Sequence, residues 1–295
     1  MQCDFGCLIT AIVTPFDENF HVNYERLIEL AEYLLNKGSD GLVLTGTTGE
    51  SPALTIEEKL NIYKILVDNF KGKLKIIAGT GGNSTKDAIE LSIKAEEIGV
   101  DGLMLVVPYY NKPPQEGLYR HFKSIAEAVS LPIMLYNVPG RTGVNLAPET
   151  TLKLAEIDNI VAIKEASGNL EQITAICAGA PQGFAVYSGD DAMTLPVLSV
   201  GGKGVVSIAS HLVGPELKEM MDCFFAGKVK EAIQIHQRLM PLFKALFITT
   251  NPIPLKAAMN MVGLKVGEPR LPLTTMPEHL TGNLKNLLQD LKLLQ

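Results

Sequence analysis

Cysteine is scarce in this chain, and the four that occur, at 3, 7, 177 and 223, are scattered over 295 residues. Disulfide frameworks belong to small secreted domains dense in cysteine, and this chain is neither small nor dense. Cys3 and Cys7 have no Cys or His partner at zinc spacing. The five histidines, His21, His121, His211, His236 and His279, stand apart, with no HExxH arrangement among them. A metal centre is therefore not expected. No apolar run approaches the roughly 20 residues of a membrane span. The first residues, Met1 to Cys7, lack the basic segment of a signal peptide. There is no basic run and no interleaving of basic with aromatic residues, and the net charge is −6. Nucleic acid and membrane are not expected partners. Nucleotide loops are missing too. Val13-Thr14-Pro15-Phe16, after the first apolar run, has no glycine. Gly79 to Ser84 lacks the third glycine of a dinucleotide loop, and Thr45 to Ser51 lacks the lysine of a P-loop. What remains is the expectation of a cytoplasmic, metal-free protein.

Hydrophobic residues make up 46% of the chain, enough for a sizeable core. Short apolar runs recur at 8–13, 42–44, 74–78, 103–107, 133–135, 160–163, 184–186 and 205–208. Between most of them lie segments of helical period, such as 24–36, 56–70, 85–98 and 116–129. Asn23, Thr55 with Glu58, and Ser84 with Asp87 mark helix starts, and Gly38, Gly72 and Gly99 mark helix ends. The runs are apolar throughout rather than alternating, as in strands buried on both faces. Eight strands alternating with helices predict an α/β chain with a parallel sheet, a (β/α)8 TIM barrel over residues 1–224. Residues 225–295 show no strand signal. They predict a C-terminal helical extension packed on the barrel, with helices at 228–246, 254–262 and 278–293 and a possible break at Pro241.

Lys164 ends the sixth apolar run. Taken alone, a lysine at a strand end most simply reaches back to water. In a pocket, desolvation instead lowers its pKa and frees an amine that can form a Schiff base with a carbonyl. Barrel sites lie at the C-terminal ends of the strands. Those ends collect Thr47, Thr48 and Glu50; Tyr109 and Tyr110; Tyr136 and Arg141; Lys164; Gly189, Asp190 and Asp191; and Val206. Tyr136 is placed to move protons at the imine stages, with Thr47 and Tyr110 as relays. A Thr-Thr-Gly turn offers hydroxyls and N–H groups to a carboxylate. Arg141 offers its fork to a second carboxylate. Each residue has an ordinary structural reading by itself; gathered at one barrel face with Lys164, they read as a site. Glu50, Asp190 and Asp191 read as loop-holding groups.

Six blocks then stand in order: GTTGES at 46–51, AGTG at 78–81, PYYNKP at 108–113, YNVPGRTG at 136–143, IKEASGNL at 163–170 and SGDD at 188–191. With AIVTPF at 11–16 and NPIP at 251–254, the chain resembles, nearly end to end, the class I pyruvate aldolases and within them the dihydrodipicolinate synthase family. The resemblance implies a Schiff base between Lys164 and pyruvate, attack of the enamine on L-aspartate 4-semialdehyde, and cyclisation that frees the lysine. It assigns Tyr136 as proton donor and acceptor, and Thr47 and Tyr110 as its relay. It places Thr48, Val206 and Gly189 around pyruvate and Arg141 at the semialdehyde carboxylate. It implies no cofactor and no metal. It implies a dimer in which Tyr110 enters the partner's site, and a homotetramer formed as a dimer of dimers. Where lysine-inhibited members often carry two histidines, this chain has Ile56 and Lys59, and the ammonium of Lys59 repels a cationic ligand. Ser51, Asn83, Asp87 and Tyr109 match the rest of that cavity, so it is not wholly lost; from Ile56 and Lys59, weak or absent inhibition by lysine is expected. N-acetylneuraminate lyases and 2-keto-3-deoxy sugar-acid aldolases share the lysine and tyrosine and are the alternative. A non-catalytic binding protein on the same barrel would be favoured by loss of Lys164 or Tyr136, and both are present.

Overall fold

The computed structural model describes residues 4–294. Cys3 lies outside them, and Cys7, Cys177 and Cys223 are free thiols. Eight strands form in order: β1 (Leu8–Ala11), β2 (Gly41–Leu44), β3 (Lys75–Gly79), β4 (Gly102–Val106), β5 (Ile133–Asn137), β6 (Ile160–Glu165), β7 (Ala185–Ser188) and β8 (Gly204–Ser207). Each pairs in parallel with its sequence neighbours, and β8 returns to β1, closing the barrel. β1, β2 and β8 are buried at every position, which is why their sequences are apolar without alternation.

The helices are α1 (Tyr24–Asn36), α2 (Ile56–Phe70), α3 (Thr85–Ile98), α4 (Gln115–Ala128), α5 (Pro139–Thr142), α6 (Pro148–Ala155), α7 (Leu170–Gly179), α8 (Thr194–Ser199), α9 (Ser210–Phe225), α10 (Val229–Ala245), α11 (Ile253–Met261) and α12 (Glu278–Asp290). α1 buries Leu27, Leu30, Ala31 and Leu34, one stripe of a helix lying on a barrel. Its start is capped by Asn23, which accepts from the Arg26 amide. Thr55 and Glu58 close a reciprocal capping box on α2.

Several boundaries differ from the sequence reading, two of them at strands that matter here. β1 stops at Ala11, two residues short of the apolar run. β6 continues through Lys164 to Glu165. A charged residue can extend this strand because Glu165 is fully satisfied, accepting from the amides of Asn137 and Gln172 and from the Ser167 backbone. Pro241 does not interrupt α10. Pro241 and Gln237, whose carbonyl would have bonded it, both lie on the exposed side, where water can meet the freed oxygen. α10 packs on α9, and α12 rests on α10 and α11.

Candidate active site

β5 and β6 run side by side with Tyr136 opposite Lys164. Neighbours in register project to the same face, so the two side chains meet at the barrel mouth. The Lys164 Nζ sits 4.2 Å from the centre of the Tyr136 ring. Both residues are buried. Burial pushes the Lys164 pKa down from 10.5 to about 7; attraction to Asp191 opposes this, and the positive charge of Arg141 adds to it. Burial likewise pushes the Tyr136 phenol up, partly offset by Arg141 and by a hydrogen bond with Thr47. The site thus holds an amine near neutrality beside a phenol that keeps its proton.

Nearby carboxylates are occupied elsewhere. Glu165 is bonded as above. Asp191 accepts from the Ser207 hydroxyl at 2.5 Å and from the amides of Ile208 and Ala209 at 3.1 and 3.0 Å. Glu50 pairs with Lys256 at 2.6 Å, both buried, and accepts from the Arg270 amide at 2.8 Å. It ties the loop after β2 to the C-terminal region. These contacts fit the reading of Glu50 and Asp191 as groups that hold loops.

A cavity of about 130 Å³ opens over Lys164, lined also by Thr47, Thr48, Tyr136, Arg141 and Gly189. Gly189 is there because space demands it: a Cβ would lie 2.7 Å from the Ala166 Cβ and 3.1 Å from both Cγ and Cε of Lys164. Thr47 and Thr48 follow Thr45, which takes a left-handed backbone (φ +48°) that is costly for a β-branched residue. The Thr45 hydroxyl is held by the Tyr63 phenol at 2.7 Å. A second cavity of about 210 Å³ shares Thr47, Tyr136 and Arg141 with the first and reaches to Tyr109 and Ser51. Two predicted residues are not brought into the Lys164 cavity. Val206 is buried in β8 opposite Ile9, and Ile208 lines the cavity in its place. Tyr110 is 89% exposed, in a left-handed turn at φ +73°.

Besides Val138, Ala166 and Ile208, the lining residues to which the sequence reading gave no role are Phe247 and Asn251, both from the turn between α10 and α11. The Asn251 amide donates to the Thr48 hydroxyl at 2.9 Å, and Arg141 donates to the Asn251 backbone carbonyl at 3.3 Å. The only local signal was Asn251-Pro252-Ile253-Pro254, which breaks the helical pattern without saying where the break points.

Residues 4–291 match the sequence model of the dihydrodipicolinate synthetase family. The chain belongs to this family. A relative from Thermosynechococcus vestitus, named 4-hydroxy-tetrahydrodipicolinate synthase, is 56% identical over 99% of both chains. One of the same name from Bacillus subtilis is 54% identical over 98% of this chain and 100% of its own. Among solved structures, the dihydrodipicolinate synthase of Cyanidioschyzon merolae, described with lysine bound, superposes with a TM-score of 0.97 at 50% identity, over 98% of this chain and 99% of that one. The Bacillus anthracis synthase superposes with a TM-score of 0.95 at 49% identity, over 97% and 98%. Membership in the dihydrodipicolinate synthetase family agrees with the fold, an eight-stranded closed barrel followed by C-terminal helices. No helix among the described residues is long and apolar enough to cross a membrane.

Proposed function

We infer that this chain catalyses the 4-hydroxy-tetrahydrodipicolinate synthase reaction, a lyase-class condensation of pyruvate with L-aspartate 4-semialdehyde that belongs to lysine biosynthesis by the diaminopimelate route. The observation that carries the chemistry is Lys164, buried at a pKa of about 7, beside Tyr136. The neutral Lys164 amine attacks the pyruvate ketone carbon, and the carbinolamine loses water to give an imine. Tyr136 gives the proton that lets the hydroxyl leave and takes it back later, in contact with Thr47. Loss of a methyl proton makes the enamine, whose carbon bonds to the semialdehyde carbonyl; the resulting alkoxide takes a proton. The semialdehyde amine then closes on the imine carbon, and the bond to Lys164 breaks.

Thr48 is the proposed holder of the pyruvate carboxylate, and Arg141 of the semialdehyde carboxylate. Gly189 supplies room, and the backbone at Val206 completes the pyruvate end. Tyr110 has no role inside its own chain's cavity. Its 89% exposure supports the reading that it serves the site of a second copy, as a dimer and then a homotetramer would allow. The test is an assay coupled to the next reductase, following NADPH loss. Turnover requiring both substrates is expected; pyruvate trapping by borohydride on Lys164 without turnover would move the reading to a sugar-acid aldolase. Tyr136→Phe should keep trapping and lose roughly 10²–10⁴-fold in kcat.

A further inference from the structure

Thr47 and Thr48 sit in a turn that is bent against preference at both ends. Thr45 before them and Glu50 after them take left-handed backbones, at φ +48° and +57°. Neither is glycine, and a β-branched residue is an outlier there. Between them the chain folds back on itself. The Glu50 amide donates to the Thr47 carbonyl at 3.1 Å and the Ser51 amide to the Gly46 carbonyl at 3.2 Å. A Cβ on Gly49 would lie 3.1 Å from the Thr45 backbone, so the two ends of the turn touch. Strained residues of this kind persist only where their surroundings over-determine them.

Each strained residue has its own buried lock, and the two locks lie on different elements. The Thr45 hydroxyl lies 2.7 Å from the Tyr63 phenol on α2, and both reach the Gly79 carbonyl at the end of β3, at 3.2 and 3.0 Å. Glu50 is buried, pairs with Lys256 on α11 at 2.6 Å and accepts from the Arg270 amide at 2.8 Å. Lys256 is itself fully buried, with its Nζ 4.2 Å from the centre of the Phe16 ring. A buried charge pair is costly, and apolar residues of the same volume stabilise a fold as well or better. What the pair adds is one geometry, set by a short contact between two unique partners. The middle of the turn is tied to the same segment: Asn251, just before α11, donates to the Thr48 hydroxyl at 2.9 Å. The Thr48 oxygen therefore receives, and its proton is available for a carboxylate, which can only accept.

We propose that Glu50 through Lys256, and Thr45 through Tyr63, are positioning residues that clamp the two ends of the threonine turn and so hold Thr47 and Thr48 in the geometry that recognises the pyruvate carboxylate. This rests on the functional reading above, in which Thr48 holds that carboxylate, and deepens it. The C-terminal helices then serve the first half of the reaction, since Lys256 and Asn251 carry one clamp and the central tie.

The experiment compares pyruvate with acetone, in which a methyl group replaces the carboxylate. Each is trapped on Lys164 by borohydride over a range of concentrations, read from the mass of the peptide that carries Lys164. Glu50→Gln combined with Lys256→Met removes both charges, keeps similar volumes and leaves an acceptor for the Arg270 amide, so no buried charge is stranded. Its preference for pyruvate over acetone should fall roughly ten- to hundredfold, the loss expected when a recognition group is misplaced by about 1 Å. Acetone trapping itself should change less than about threefold. Tyr63→Phe opens the other clamp and should lower the same preference by roughly two- to tenfold, the worth of a hydrogen bond. Equal losses for both ketones would trace the effect to the general fold or to Lys164 itself and overturn the proposal. An unchanged preference in either folded variant is equally fatal, and should the double variant fail to fold, Tyr63→Phe decides. Wild-type protein is measured first; failure to trap pyruvate on Lys164, or trapping of both ketones alike, would refute the functional reading rather than the clamp.

Discussion

Lys164→Met should make the protein inactive and more stable, by an amount that depends on pH. The folded lysine titrates at about 7 instead of 10.5. Each pKa unit is about 1.4 kcal/mol, so at pH 7 and below the buried ammonium costs the folded state about 5 kcal/mol. Above pH 7 the folded lysine sheds its proton while the unfolded one keeps it. Stability therefore rises with pH through the window from about 7 to 10.5, at about 1.4 kcal/mol per unit. The attraction of Asp191 already moderates the folded value. Methionine is unbranched and flexible, fills the same channel and carries no charge. The variant should exceed wild type by about 5 kcal/mol at pH 7 and by about 2 kcal/mol at pH 9. Urea unfolding followed by circular dichroism at pH 6.5, 7, 8 and 9 measures this. Equal stability at pH 7 would refute the reasoning. So would an advantage that stays constant with pH, because that would trace the gain to packing and not to the charge.

Three other perturbations test separate parts of the site. Gly189→Ala places a methyl group 3.1 Å from Lys164 Cγ and Cε and 2.7 Å from Ala166 Cβ. The lysine must shift, and pyruvate trapping should slow roughly tenfold or more; an unchanged rate would show that the channel has slack. Glu50→Ala strands Lys256 as a buried unpaired cation and should cost about 3–5 kcal/mol by urea titration. A loss under about 1 kcal/mol would mean that water reaches Lys256. For lysine inhibition, Ile56 is half-exposed and Lys59 half-buried at the start of α2. Half-maximal inhibition is expected only at millimolar lysine or above, and sub-millimolar inhibition would sink that reading.

The barrel was legible because burial on both faces writes each strand as an apolar run, and capped helices separate the runs. Lys164 and Tyr136 were legible for a related reason: a polar residue that ends a buried strand of a barrel points to the mouth. Thr47 and Arg141 followed from loop position. Asn251 was not legible. Its value comes from contacts with Thr48 and Arg141, 203 and 110 residues away, and no periodicity encodes such a pairing. The same holds for Glu50, whose partners Lys256 and Arg270 are far along the chain. Val206 was read as a contact through its backbone, and a sequence pattern carries no information on which backbone groups face a cavity. Tyr110 was read for its chemistry, but its place depends on a surface that one chain does not complete.

The electrostatic problem of this site is to keep a lysine near neutrality among carboxylates. Glu165 is adjacent in sequence, yet it follows Lys164 in an alternating strand, faces away and is held by three donors. Asp191 is the acid that reaches Lys164 electrically, and it raises the lysine pKa. Its own three hydrogen bonds, from Ser207, Ile208 and Ala209, fix it in place and stop it from closing on the amine. Asp191→Asn removes the charge and keeps the shape. Desolvation and Arg141 then act unopposed, so the Lys164 pKa should fall below about 7. The midpoint of pyruvate trapping against pH should move to lower pH. A shift to higher pH would mean that the variant loop has opened and rehydrated the lysine, and that Asp191 serves this site through structure alone.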